Sequence, residues 1–373
     1  MTLESHSTAQ KAAQASLERS DAVRANIKKF YIYVVLLLIV VAFSMVKFGQ
    51  VGLFGRGAFL SPDSIINLLR ASAPVLTLVG AFTLVMIAGY IDLSVGSAMS
   101  LSAVVFAWMI LNGFSFVPSF LLTLVVGILM GTLNGYIVMG LRITPVIATL
   151  VTLTLFKGIA LLIVPPGLSA IKAGAAKTLP AWLNSGFSAL GIDRAVNGAA
   201  RTMPAWINYY ARKDAILGLP WAFLVALAVT AVLVIVQRKT ILGKYAAAIG
   251  GNRVAAELSG INVVKYVWVL YIIMGFFAAL AGIARASYMS LGDPLSGDTM
   301  ELNCIIAVLL GGTAFSGGEG SGAKSMIGAL IIVCVTVGLM TVIPPYWQNV
   351  AKGVVLLFAV VLNHLLVRAR THA

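Results

Sequence analysis

Apolar residues run in long unbroken stretches along this chain, with short polar clusters between them. A helix needs about 20 mostly apolar residues to cross a bilayer. Ten stretches come near or reach that length: Tyr31–Val46, Ser72–Ala88, Leu93–Leu111, Val117–Met139, Pro145–Val164, Pro220–Val236, Tyr266–Ala286, Leu302–Phe315, Ser325–Ile343 and Gly353–Val367. The eighth is short and ends in glycines, which predicts a broken or re-entrant segment. The pattern predicts one all-α polytopic membrane domain over residues 30–367, with about ten transmembrane helices. A polar tail (1–29) precedes it and a short tail (368–373) follows. Phe59–Pro74 reads as an interfacial helix, capped at Ser61 or Asp63, that leads into the second span.

Small residues recur at helical spacing inside two spans. Gly127, Gly131 and Gly135 form one stripe, and Ala278, Gly282 and Ala286 form another. Such stripes let helix backbones approach closely in lipid, within the subunit or between subunits. Residues 165–219 form an unusually long insertion between the fifth and sixth spans. Its "PAWLN" (Pro180–Asn184) and "PAWIN" (Pro204–Asn208) suit short helices lying in the headgroup zone.

Composition supports the membrane reading. The chain is 60% hydrophobic and only 10% charged, where soluble domains are nearer one quarter charged. Mean hydropathy is +1.00. The net charge of +14 could suggest a nucleic-acid partner, but its distribution argues against that. With the N-terminus placed inside, the inner pieces hold 14 of the 26 Lys and Arg. The outer pieces Asn112–Phe116 and Ser287–Glu301 hold none. This asymmetry predicts that both termini are cytoplasmic. The first apolar run follows a polar stretch and lacks a small-residue cleavage site, so it reads as a retained anchor in the cytoplasmic (inner) membrane.

Little in the chain resembles catalytic chemistry. Cys304 and Cys334 sit in apolar spans and read as small buried hydrophobes, and His6, His364 and His372 have no ligand spacing. No metal or cofactor is expected. "GGEGSGAKS" (Gly317–Ser325) is a near miss for a phosphate-binding loop, because Ala323 stands where that motif needs Gly before Lys324. If ATP drives this protein, another chain binds it. An enzyme is the least favoured class.

One acid stands out. "GYIDLSVGS" (Gly89–Ser97) places Asp92 between two charge-free apolar runs. An intramembrane carboxylate is costly unless it meets water, a cation or hydrogen-bond donors. Gly89 and Gly96 can let the backbone break there. Asp92 is then either a cap for the third helix or a polar element of a translocation path or its gate. Ser94, Ser97 and Asn303 belong to that candidate path, with Lys157 in span five as a possible partner of Asp92.

The second informative stretch is cytoplasmic, residues 237–265. Within it "VAAELSG" (Val254–Gly260) predicts a short helix between Gly251 and Gly260, whose small Ala255 and Ala256 could seat in a partner's groove. The stretch resembles the coupling segment of ATP-binding-cassette importer permeases, Ala-Ala-x-x-x-Gly, with Val254 where Glu is usual. Three further blocks are similar to the ribose-type sugar permease family. They are "GYIDLSVGS", "TPVIATLVTLTLFKGIALLI" (Thr144–Ile163) and "ELNCIIAVLLGGTAFSGGEGS" (Glu301–Ser321). "YAAAIGGNRVAAELSGINV" (Tyr245–Val263) extends the coupling match. Tyr90 replaces a usual Gly, and Asn303 a common Asp.

The resemblance implies a permease subunit that works with a second permease copy, an ATPase subunit and an extracytoplasmic solute-binding protein. It implies that Gly251, Asn252, Ala255, Ala256, Ser259 and Gly260 form the coupling element toward the ATPase. The surplus of basic residues in the insertion, including Arg194, Arg201 and Arg212, suggests a docking patch for the binding protein. A sugar or sugar-like solute is the leading substrate. Nucleosides, branched-chain amino acids or a signalling sugar are alternatives within the family. An ion-coupled secondary transporter built on Asp92 and Lys157 is the alternative of another class.

Overall fold

The computed structural model describes residues 32–45, 59–112, 114–163 and 218–340, with isolated positions 347, 350, 353, 354 and 357 beyond them. Every helix or strand among these residues is helical: α1 (Ile32–Met45), α2 (Pro62–Ile87), α3 (Val95–Leu111), α4 (Phe116–Gly135, ending in a π turn over Tyr136–Gly140), α5 (Pro145–Ile163), α6 (Trp221–Lys239), α7 (Ile241–Gly251), α8 (Arg253–Leu258), α9 (Val263–Met289), α10 (Met300–Leu310) and α11 (Gly322–Met340). Six of them are long and apolar enough to cross a membrane: α2, α4 with its π turn, α5, α6, α9 and α11 up to Leu339. The shorter α1, α3 and α10 fall on three further expected spans. The tenth, Gly353–Val367, lies mostly outside the described residues, as do the N-terminal tail and nearly all of the 165–219 insertion.

The predicted interfacial helix and second span are one helix. Ser61 caps it, accepting from the Ser64 amide at 3.3 Å. Pro62 occupies its first turn, where no N–H is needed. Ser72, where the span was placed, marks a change in burial rather than an element boundary. Every residue from Ser72 to Ile87 is buried, whereas the turns before it are largely accessible. Pro74 lies inside the helix without ending it.

α2 and α9 form the centre, with Leu76, Phe82, Leu270, Tyr271 and Met274 fully buried. α9 packs on α4, α3 and α2, while α6 and α11 pack on α2. The small-residue stripes explain the closeness. A Cβ at Gly131 would overlap the Tyr271 carbonyl oxygen, and one at Gly127 would overlap Gly275. Gly282 meets Met99 and Ser102 of α3 in the same way. Both stripes are therefore used within this chain, where dispersion contacts rather than the hydrophobic effect hold helices together. Thr230 adds a bond across helices, from its hydroxyl to the Leu76 carbonyl at 2.6 Å.

α5 packs chiefly on α3, through the buried stripe Ala148, Thr149, Thr152, Phe156 and Ala160. α10 has 11 residues, about 16 Å of helix, half of a bilayer's apolar core. The eighth span is thus a half-helix, as its length and glycines predicted. A non-helical segment over residues 290–299 brings the chain to its start.

Candidate functional site

α2 stops at Ile87, and Gly89 turns the chain at φ +80°, a conformation glycine adopts freely. The segment beyond carries Asp92, which is 2% exposed. One carboxylate oxygen accepts from the Ser94 amide at 2.9 Å and from the Ser94 hydroxyl at 2.7 Å. The Asn134 amide group of α4 donates to Ser94 Oγ at 2.8 Å and, more weakly, to the second Asp92 oxygen at 3.4 Å. The Tyr271 hydroxyl of α9 donates to the Ile91 carbonyl at 3.1 Å. The break is therefore pinned to two other helices.

Two readings of Asp92 are corrected. Lys157 is not its partner: Lys157 Nζ lies 2.8 and 2.9 Å from the two carboxylate oxygens of Asp298. Nor does Asp92 cap the first turn of α3. Ser94 is the residue preceding that helix, and Asp92 binds the Ser94 amide, two positions on, in a local turn. Ser97 spends its hydroxyl on the Ser94 carbonyl at 2.8 Å. Asn303 is buried on α10, with its side-chain oxygen unpaired among the described residues. Asn134 is the member that the sequence reading missed. Its signal was available, since an amide inside an apolar span is itself a polar group needing a partner.

Between α6 and α9 the chain folds as two short helices, α7 and α8. Asn252 caps α8 by accepting from the Ala255 amide at 3.0 Å, and Gly260 ends it at φ +82°. Ser259 returns its hydroxyl to the Ala255 carbonyl. Asn262 then caps α9 through the Lys265 amide at 2.9 Å. The two alanines do not act as a pair. Ala255 is exposed, but Ala256 is buried against this chain itself. The side chains presented outward are Val254, 64% exposed, and Leu258, 84% exposed, one turn apart on the same face.

α8 is tied to the Asp92 break. Arg253 pairs with Glu257 at 3.0 Å and reaches the Tyr90 hydroxyl oxygen at 3.4 Å. The Glu257 bond raises the Arg253 pKa and holds it cationic. Burial raises the Tyr90 pKa, while Arg253 opposes that shift. The Tyr90 ring meets Tyr271 edge-on, with centroids 6.4 Å apart.

Behind this contact three chain segments meet through glycines. A Cβ at Gly250 would overlap the Ile87 carbonyl oxygen, which accepts from the Gly318 amide at 2.8 Å. A Cβ at Gly317 would lie 2.7 Å from the Gly89 Cα, and one at Gly318 would lie 3.0 Å from the Gly251 Cα. The stretch that nearly matches a phosphate loop is thus a packing corner. Gln237 clamps its far side, donating to the Gly320 carbonyl at 2.8 Å and accepting from the Gly322 amide at 2.7 Å. Arg194, Arg201 and Arg212 lie outside the described residues.

The sequence signature of the family described as "Branched-chain amino acid transport system / permease component" matches residues 64–360. The chain belongs to that family. It is 35% identical to the ribose import permease protein of Haemophilus influenzae, over 83% of this chain and 87% of that one. It is 33% identical to the ribose import permease protein of Bacillus subtilis, over 82% and 86%. The xylose transport system permease protein of Escherichia coli K12 is 32% identical, over 82% and 85%. The resemblance carried by the four sequence blocks therefore holds over most of the chain. No solved structure matches it significantly.

Proposed function

We propose that this chain is the membrane-spanning permease subunit of an ATP-driven importer for a sugar or sugar-like solute. The observation that carries this reading is the run of sugar permeases among its relatives, aligned over more than four fifths of their length. It does no catalysis itself; ATP is hydrolysed by a separate ATPase subunit. A second permease copy and an extracytoplasmic binding protein complete the assembly. The chain lies in the cytoplasmic membrane with ten spans and both termini inside.

α8 is the element that meets the ATPase, with Gly251, Asn252, Ala255, Ser259 and Gly260 shaping it and Val254 and Leu258 forming its outward face. The geometry supports this. Two large apolar side chains stand exposed on a helix whose other contacts lead to the membrane core. Motion of α8 passes through Arg253 to Tyr90, and through the glycine corner to the end of α2. Asp92, Ser94 and Asn134 hold the break so that this displacement reaches α3 and α4. The basic residues of the insertion, Arg194, Arg201 and Arg212, steer the binding protein toward the complex.

Purified with its ATPase subunit and binding protein in vesicles, the chain takes up D-ribose or D-xylose with ATP, and vanadate stops it. Vanadate-insensitive, gradient-driven uptake would refute the proposal. The secondary-transporter alternative rested on an Asp92–Lys157 pair, and these residues have different partners. The family's description keeps branched-chain amino acids as a second substrate class, so L-leucine belongs in the uptake panel.

A further inference from the structure

The Lys157–Asp298 pair joins residues 141 positions apart and remains half open, with side chains 33% and 45% exposed. Its depth is fixed by the helices around it. Lys157 lies about 18 Å from the Pro145 end of α5 and about 9 Å from the Ile163 end, at 1.5 Å per residue. Asp298 belongs to the non-helical segment that descends alongside α3. There Gly292 lies against Val104 and Ala107, and Gly297 against Gly96 in the first turn, where its amide is held by Ser100 Oγ at 2.8 Å. Gly96 is about 22 Å from the Leu111 end of α3. The pair therefore sits well inside the apolar thickness.

Two physical constraints then apply to the same patch. A half-exposed ion pair at that depth cannot face acyl chains, because intramembrane charges turn to a bundle interior or a water-filled cavity. Irregular backbone at that depth is subject to the same limit, and this backbone leaves Leu295 and Asp298 exposed. α5 itself packs chiefly on α3, and both charged side chains stay exposed with the described elements in place. Val151, Leu155 and Leu162, well round α5 from Lys157, are exposed apolar side chains that suit lipid.

We infer that Lys157 and Asp298 line the water-filled solute path and contact a neutral polyhydroxylated solute directly. This deepens the proposed function and rests on it. The pair's own charges cancel, and the neighbouring Glu301 carboxyl couples electrostatically to both, so an anion is not favoured. The Asp298 oxygens can accept from two adjacent hydroxyls while the ammonium donates to a third. Such bonds exchange for the ion pair and return to it as the solute moves on. The exchange suits transit because an exposed pair contributes only weakly to holding the fold.

The test uses the full permease assembled with its ATPase subunit in vesicles. Cysteine is placed at Lys157→Cys and, as the lipid-facing control, at Leu155→Cys. The probe is 2-sulfonatoethyl methanethiosulfonate, supplied on both sides. The expected result is modification at position 157 at least tenfold faster than at 155. Asp298→Cys reports the same face should the first variant fail to insert. The double variant Lys157→Met with Asp298→Leu removes both charges and their hydrogen-bonding groups together. It is expected to copurify with the ATPase subunit yet lose at least tenfold in ATP-driven uptake of D-ribose or D-xylose. Equal modification at the two positions, or undiminished uptake by the double variant, would overturn the inference. A wild-type chain that recruits no ATPase would instead refute the proposed function, and the labelling rates would still stand.

Discussion

Asp92 and Asp298 are both carboxylates at breaks in the helical chain, and the protein treats them in opposite ways. Asp92 is 2% exposed and held by two short bonds from Ser94, two residues on, and by a longer one from Asn134 on α4. Asp298 is open, in non-helical backbone, and both its oxygens meet Lys157 Nζ on α5. A buried acid with several donors cannot release them without leaving unpaired polar groups, each worth about 1–3 kcal/mol. An exposed pair can part at little cost. The first arrangement suits a fixed joint, the second a surface that exchanges partners. The glycine corner behind Asp92 makes the same point in backbone atoms, since Gly250, Gly317 and Gly318 approach too closely to yield independently.

The largest effect should come from Asp92→Ala. It strips the Ser94 amide and the Ser94 hydroxyl of their acceptor and removes the weaker bond from Asn134, so stability should fall by about 3 kcal/mol. Thermal melting in detergent reads this directly. Should the variant melt like wild type, Asp92 would be no joint and the contrast with Asp298 would collapse. Next comes Gly250→Val, which drives side-chain atoms onto the Ile87 carbonyl oxygen. Overpacking of this kind costs about 1–3 kcal/mol. Its partner control is Gly251→Ala, where a Cβ meets nothing within 4 Å, and melting should be unchanged.

Tyr90→Phe sharpens the comparison at the level of transmission. It removes the acceptor for Arg253 but keeps the ring against Tyr271. Stability should change by about 1 kcal/mol or less, while solute uptake per ATP hydrolysed should fall. Unchanged coupling would mean that the glycine corner alone carries the motion. The smallest effect on stability belongs to Leu258→Asp, whose side chain is 84% exposed. Melting should stay within about 0.5 kcal/mol of wild type, yet copurification with the ATPase subunit should be lost. Retained copurification would remove α8 from the interface.

Legibility in the sequence followed the range of the interaction. The apolar runs placed nine of the expected spans where helices stand, because spanning length and hydropathy are properties of a short window. The ends of α8 were legible for the same reason: Asn252 and Gly260 act within four residues of themselves. What burial did to that helix was not. Which alanine faces the chain depends on α7 and α9, so the outward face turned out to be Val254 and Leu258 rather than the alanine pair.

Taken by itself, the sequence determined the membrane class, the position of the breaks and the family, since each is written in local composition or in short ordered motifs. Only the tertiary structure decided the partners across the breaks. Lys157 meets Asp298 from 141 residues away, Asn134 meets Ser94 from 40, and "GGEGSG" becomes a packing corner because Gly89 and Gly250 arrive beside it. The physical reason is that a charge or amide in the membrane must find a partner, but its own neighbourhood along the chain does not say which one.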